Sequence, residues 1–195
     1  MIKNIAEAID RIADITEELL VGVNEDKSKS KIYEPIDIEN CLSNVIIESS
    51  LLAMQHKIHI KVIKKDDLIP LIKGVLFEVR FVLHSLITNA LNYSPIGDTV
   101  TITLKQDGAF AKIVVHNNGI PIKESEKAML FSQFGRGEQA IRINPNGSGL
   151  GLYLTKEIMI KHEGTVSFES DGKDGTSFII RFPLSDKGEL ETSLR

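Results

Sequence analysis

Two hairpin signals constrain this chain more than any other feature. Thr99 to Lys105 and Ala111 to His116 read as strands joined through Gln106-Asp-Gly-Ala, and Thr165 to Ser170 and Thr176 to Pro183 read as a second pair about Asp171-Gly-Lys-Asp-Gly. Short Asp-Gly turns return the chain antiparallel, whereas a parallel pair needs a long crossover connection. The strands and helices therefore do not alternate as repeated βαβ units. A mostly antiparallel sheet with helices on one face fits instead, so the expected fold class is α+β, a two-layer sandwich.

The remaining elements follow from periodicity. Leu76, Val79, Leu83, Leu86, Ile87, Ala90 and Leu91 share one face of a helix from Leu76 to Tyr93, and Ser94-Pro-Ile-Gly-Asp ends it as a turn. Asp37 is the expected N-cap of a helix over Ile38 to Gln55, with Leu42, Val45, Ile46, Ser49 and Leu52 or Ala53 on one side. Ile58 to Ile63 alternates as a half-buried strand with His59 on its polar side, and Leu68 to Ile72 is a second, edge strand broken by Pro70. Before these, Ile2, Ile5, Ile9, Ile12, Ile15, Leu19 and Leu20 mark an amphipathic helix over residues 2 to 23. Its narrow stripe suits a core helix or a partner in a bundle or coiled coil. The stretch from Asn24 to Tyr33 is polar and reads as a linker, and the tail after Leu184 is polar and frayed. The expected division is a helix in 1–24, a linker in 25–33, one domain in 34–184 and a tail in 185–195.

Composition removes several function classes. A net charge of −4 gives no electrostatic footprint for nucleic acid, so no such partner is expected. The single cysteine, Cys41, excludes an internal disulfide, fits a reducing compartment and reads as a small buried hydrophobe on a helix. No apolar run approaches the roughly 18 residues of a membrane span. Glu7 and Asp10 interrupt the first apolar pattern, which does not suit a signal peptide. A cytoplasmic location is the expectation, with the parent protein open to a membrane anchor.

The chemistry begins at Asn146 to Leu152, Asn-Gly-Ser-Gly-Leu-Gly-Leu, which runs straight into an amphipathic helix. Glycines let the backbone approach closely, free N–H groups at a helix start point at an anion, and the helix dipole favours negative charge. Alone, this is a phosphate cradle or a plain turn. Three further blocks precede it in order: Leu83-His-Ser-Leu-Ile-Thr-Asn-Ala-Leu-Asn-Tyr-Ser-Pro, Val115-His-Asn-Asn-Gly-Ile-Pro-Ile and Leu130-Phe-Ser-Gln-Phe-Gly-Arg-Gly. This ordered set resembles the N, G1, F and G2 boxes of the ATP-binding catalytic domain of sensor histidine kinases, within the GHKL superfamily (gyrase, Hsp90, histidine kinase, MutL). The resemblance covers roughly residues 34 to 184. It implies the two-layer Bergerat ATP-binding fold and the cofactors ATP and Mg2+.

Residue by residue, the resemblance implies a site. Asn89 would ligate, through its side-chain oxygen, the Mg2+ that bridges the ATP phosphates; the residues alone leave open a hydrogen-bonded buried amide. Tyr93 would pack on the adenine, with ordinary core packing as its alternative. Asn117, Gly119 and Pro121 stand where the family usually has Asp-x-Gly-x-Gly, and the Asn117 carbonyl can accept the adenine amino hydrogen bond. Phe131 and Phe134 would anchor the segment from Lys123 to Pro145, read as a lid. Arg136 would contact the phosphates, a solvated surface arginine being the alternative. Gly147, Ser148, Gly149, Leu150 and Gly151 would close over the phosphates. The expected catalytic residues are Asn89 and Arg136.

The departures carry equal information. Ser85 stands four residues before Asn89, where the ATP-hydrolysing branch has a water-activating Glu, and Asn92 stands where the family often has a cation. None of His56, His59, His84, His116 and His162 has the context of a phosphoacceptor. Residues 2 to 23 resemble the second helix of the family's dimerisation hairpin, without the histidine-bearing first. The chain therefore reads as a piece of a longer kinase that passes the γ-phosphoryl group of ATP to a histidine outside it. The implied partners are the phosphoacceptor helix of the parent kinase, a downstream response regulator and a second copy through the N-terminal helix. The alternatives are a degenerate nucleotide-binding module without transfer, kept alive by Ser85 and Asn92, and an anti-sigma-factor-type serine kinase.

Overall fold

The computed structural model describes residues 33–66, 71–170 and 175–185. The helix read over residues 2 to 23, residues 68–70 of the edge strand, the turn at 171–174 and the tail after Ser185 lie outside the described residues. In chain order the elements are β1 (Glu34–Ile36), α1 (Ile38–Glu48), α2 (Ser50–Gln55), β2 (His59–Lys64), β3 (Ile72–Gly74), α3 (Leu76–Tyr93), β4 (Thr99–Asp107), β5 (Phe110–Asn117), α4 (Glu124–Lys127), α5 (Glu138–Ile143), α6 (Gly151–Lys161), β6 (Thr165–Glu169) and β7 (Thr176–Pro183).

Both hairpins form as read, and with helices on one face they make the expected two-layer α+β sandwich. The main sheet has five strands in the order β2-β4-β5-β7-β6. Every pairing in it is antiparallel except β2 with β4. Asp107 pairs with Phe110, so the first hairpin closes in two residues, Gly108 and Ala109. Gly108 sits at φ 63°, the positive value that a II′ turn demands of its first central residue.

Two expected elements shift. The edge strand begins at Ile72 and pairs with β1, not with the main sheet. The single helix expected over Ile38 to Gln55 is two helices meeting at Ser49. The Ser49 hydroxyl donates back to the Val45 carbonyl at 2.8 Å, a bond that competes with the helical ladder and bends it.

The Asp37 cap is present: its Oδ1 accepts from the backbone N–H groups of Glu39 and Asn40, both at 3.0 Å. Asp37→Ala is expected to cost about 1 kcal/mol, read as a lower urea midpoint with an unchanged slope.

The core lies between α3 and the inner face of the sheet. Leu83, Leu86, Ile87 and Leu91 of α3 meet Val100 and Ile102 of β4, Ile113 and Val115 of β5, and Ile180 and Phe182 of β7, all without solvent exposure. Ile158 and Met159 bring α6 into the same cluster. Cys41 is buried on α1, and its burial pushes the thiol up to about 11. At pH 8 only about one thiol in a thousand is then ionised, so a maleimide should label Cys41 far more slowly than a free cysteine. Labelling at the rate of the unfolded chain would show that α1 opens freely. No helix among the described residues is long and apolar enough to cross a membrane.

Candidate functional site

Helix α3 supplies one wall of the site. Its apolar residues at spacings of three and four bury one face, which leaves Ser85, Thr88, Asn89, Asn92 and Tyr93 on the other, facing a cleft. Pro95 and the Ser94 hydroxyl, bonded to the Ala90 carbonyl at 2.7 Å, stop the helix just beyond Tyr93. Strand parity supplies the floor. Ala111, Ile113 and Val115 form the buried row of β5, and Asn117 continues it at the strand's end. The opposite wall is the excursion from Asn118 to Leu150. Together they enclose a cavity of about 940 Å3.

The predicted residues largely converge there. Asn89, Tyr93, Asn117, Arg136, Gly147, Ser148, Gly149 and Gly151 all line the cavity. Gly119 and Leu150 do not line it. Gly119 passes so close to α3 that a Cβ would lie 1.9 Å from the Tyr93 carbonyl oxygen, so only glycine fits. The Leu150 N–H is satisfied by the Ser148 hydroxyl at 3.1 Å, which leaves the first turn of α6 open to the cleft.

Asn89 is half-buried in mid-helix, and among the described residues its side chain takes part in no hydrogen bond. An internally satisfied amide, the alternative reading, is not what the structure shows. Asn117 is only 3% exposed. In the amide orientation that its neighbours dictate, Nδ2 donates to the Thr176 carbonyl at 3.3 Å and Oδ1 accepts from the Gly119 N–H at 3.1 Å. A carbonyl oxygen has two lone pairs, so one remains for a donor in the cleft.

Arg136 is not a solvated surface group. Its guanidinium donates to the carbonyls of Gly147 at 2.7 Å, Ala140 at 3.2 Å and Asn144. It therefore gathers the carbonyls of the excursion beside the glycine loop. A Cβ at Gly147 would stand 3.2 Å from that guanidinium, and Gly149, at φ 74°, passes 2.9 Å from the Phe134 backbone at its own Cβ position. The glycines thus admit the arginine and the neighbouring turn as well as any ligand.

Sequence reasoning missed Thr176. It is buried, lines the cavity and pairs in register with Asn117. Its signal is faint: a polar residue on the inward row of a strand outside the four blocks. Of the histidines, His162 is a buried structural group, accepting from the Val75 N–H at 3.1 Å and lying 2.9 Å from the Ile158 carbonyl. His56 lies against the Leu91 carbonyl and His84 lines the cavity.

Residues 74–186 match the family described as Histidine kinase-, DNA gyrase B-, and HSP90-like ATPase. The chain belongs to that family. All four sequence blocks fall within the matched segment. Within this ATPase family the chain is similar to the sensor histidine kinase CusS of Escherichia coli (strain K12), with 35% identity over 105 residues, 54% of this chain and 22% of CusS. The sensor-like histidine kinase SenX3 of Mycobacterium tuberculosis is 36% identical over 101 residues, 52% of this chain and 25% of SenX3. The chain thus spans about a quarter or less of the length of these curated relatives. Its fold is that of the catalytic domain of histidine kinase ThkA, with a TM-score of 0.68 at 21% identity over 78% of this chain and 96% of that one. Full-length ShkA, solved in complex with AMPPNP, contains the same fold, with a TM-score of 0.72 at 21% identity over 92% of this chain and 36% of ShkA.

Proposed function

We propose that the cleft binds Mg·ATP and that this domain donates the γ-phosphoryl group to a histidine on another segment of a longer sensor kinase. One observation carries the reading: residues spread from Asn89 to Gly151, chosen from four separate blocks, share one cavity. The curated relatives, named as sensor histidine kinases, support it.

The roles are those the resemblance implies, and the cavity lining supports them. Tyr93 offers its ring to the base, and the free lone pair of Asn117 Oδ1 accepts a base amino group. The open first turn of α6, beginning at Gly151, faces the phosphates. Asn89 fits Mg2+ because its side-chain oxygen faces the cleft uncommitted. Among the described residues no group of three or more His, Cys, Asp or Glu side chains could hold a metal, so the ion's other ligands would be phosphate oxygens and water. Bound there, Mg2+ neutralises phosphate charge. Arg136 brings a positive charge from the opposite wall, and exchanging a carbonyl for a phosphate oxygen pairs its charge with an anion. Catalysis of this kind is positioning plus charge stabilisation. Position 85 holds Ser, so the water-activating Glu of the ATP-hydrolysing branch has no counterpart at that position.

Arg136's engagement with carbonyls, together with Ser85 and Asn92, favours a second reading, a nucleotide-binding module without transfer. Labelled ATP, Mg2+ and the parent's histidine-bearing segment separate the two. Acid-labile label on the segment supports the kinase. Tight nucleotide binding with no label supports the module.

A further inference from the structure

We propose that a hydrogen-bonded relay on the open face of the sheet, Ser177–His116–Asn118–Asp98, positions the Asn117–Gly119 turn and so sets the preference for adenine. This rests on the nucleotide reading of the cleft. In register, Asn117 and Thr176 are an inward pair at the cleft floor, and His116 and Ser177 are the adjacent pair, with side chains on the opposite face. His116 Nδ1 lies 2.9 Å from the Ser177 hydroxyl, and Nε2 lies 3.0 Å from Asn118 Oδ1. Asn118 Nδ2 donates to Asp98 Oδ1 at 3.2 Å, and the same carboxylate oxygen accepts from the Thr99 N–H at 2.7 Å.

Each direction in this chain is fixed by the one before it. A carboxylate only accepts, so Asn118 turns its nitrogen to Asp98 and its oxygen to His116. His116 therefore carries a proton on Nε2, and in the neutral ring Nδ1 accepts from the Ser177 hydroxyl. The relay straps the turn leaving β5 to the starts of β4 and β7. On the inner side the turn has no slack. Gly119 is pressed against the Tyr93 carbonyl, and a Cβ at Gly175 would lie 2.0 Å from the Asn117 carbonyl oxygen. A displacement of Asn118 is then passed to Asn117. Asn118 is exposed and outside the cavity, so it and His116 are positioning residues that act through Asn117.

Two histidine replacements divide the relay. His116→Gln places a donor near the Nε2 position and keeps the bond to Asn118. His116→Asn reaches only the Nδ1 position and loses it. Titration calorimetry with Mg·ATP and Mg·GTP should give roughly five- to tenfold weaker ATP binding for His116→Asn and Asn118→Ala, the worth of about one hydrogen bond, with GTP binding unchanged. His116→Gln should stay within about twofold of the unaltered chain on the same reasoning. Amide exchange at Asn118 to Ile120 in the nucleotide-free chain should quicken in His116→Asn and Asn118→Ala but not in His116→Gln. Equal behaviour of the Gln and Asn variants, or an unchanged ATP-to-GTP ratio in Asn118→Ala, overturns the relay while leaving the nucleotide reading intact. An unaltered chain that binds neither nucleotide overturns that reading and, with it, the adenine preference.

Discussion

Asn89→Ala should weaken Mg·ATP binding by roughly ten- to hundredfold, the range set by losing a bond to a charged group. The melting temperature should hold or rise slightly. Asn89 sits in the interior of α3 with no internal hydrogen bond among the described residues, so nothing in the fold is orphaned by its removal. Alanine is also the better helix former, by up to about 0.7 kcal/mol. A loss of affinity without a loss of stability is the signature of a ligand-facing residue. Calorimetry with and without chelator sharpens it. If Asn89 acts through the ion, variant and unaltered chain converge once Mg2+ is removed. Equal Mg·ATP affinity in the two proteins would sink the assignment of the whole site.

Phe182→Ala should have the largest effect on stability, about 3–5 kcal/mol. Phe182 is fully buried on β7, opposite Ala111 of β5, and meets the His162 ring edge-on at a centroid distance of 5.9 Å. Its neighbours are drawn from a sheet and from the end of α6, so they cannot collapse together into the space left. Set against a typical total of about 5–15 kcal/mol, the loss threatens the fold itself. Chemical denaturation followed by circular dichroism would show it. A midpoint within experimental error of the unaltered chain would mean that the core is far more plastic than its packing implies.

The parts of this fold that were legible in sequence are those specified locally. Gly108 encodes its own turn, Asp37 its own cap, and the apolar stripe from Leu76 to Leu91 its own helix. The parts that were not legible depend on partners distant in the chain. The break at Ser49 needs a hydroxyl to choose the Val45 carbonyl over water. The short helix α5 is started by a cap from another element, with Glu126 Oε1 accepting from the Glu138 N–H at 2.9 Å. Arg136 could be recognised as a cation near a glycine loop, but the carbonyls it collects come from the way the excursion folds. Thr176 became visible only once β5 and β7 were in register. The cleft residues announced themselves by type and order, and their convergence needed the sheet.

The excursion between β5 and α6 has one further consequence. From Asn118 to Leu150 no residue is buried, and the segment meets the core through the half-buried side chains of Ile122, Leu130 and Phe131 while α4 and α5 add none. Its own conformational free energy is therefore separable from that of the domain. A ligand that draws this segment into one arrangement must offset the entropy of fixing it, about 1–2 kcal/mol for each backbone position newly ordered. That cost is subtracted from every contact made in the cleft. Affinity can then be tuned from positions that never touch a ligand. A substitution that stiffens the excursion beforehand tightens binding, one that loosens it weakens binding, and the cleft keeps the same set of contacts in both.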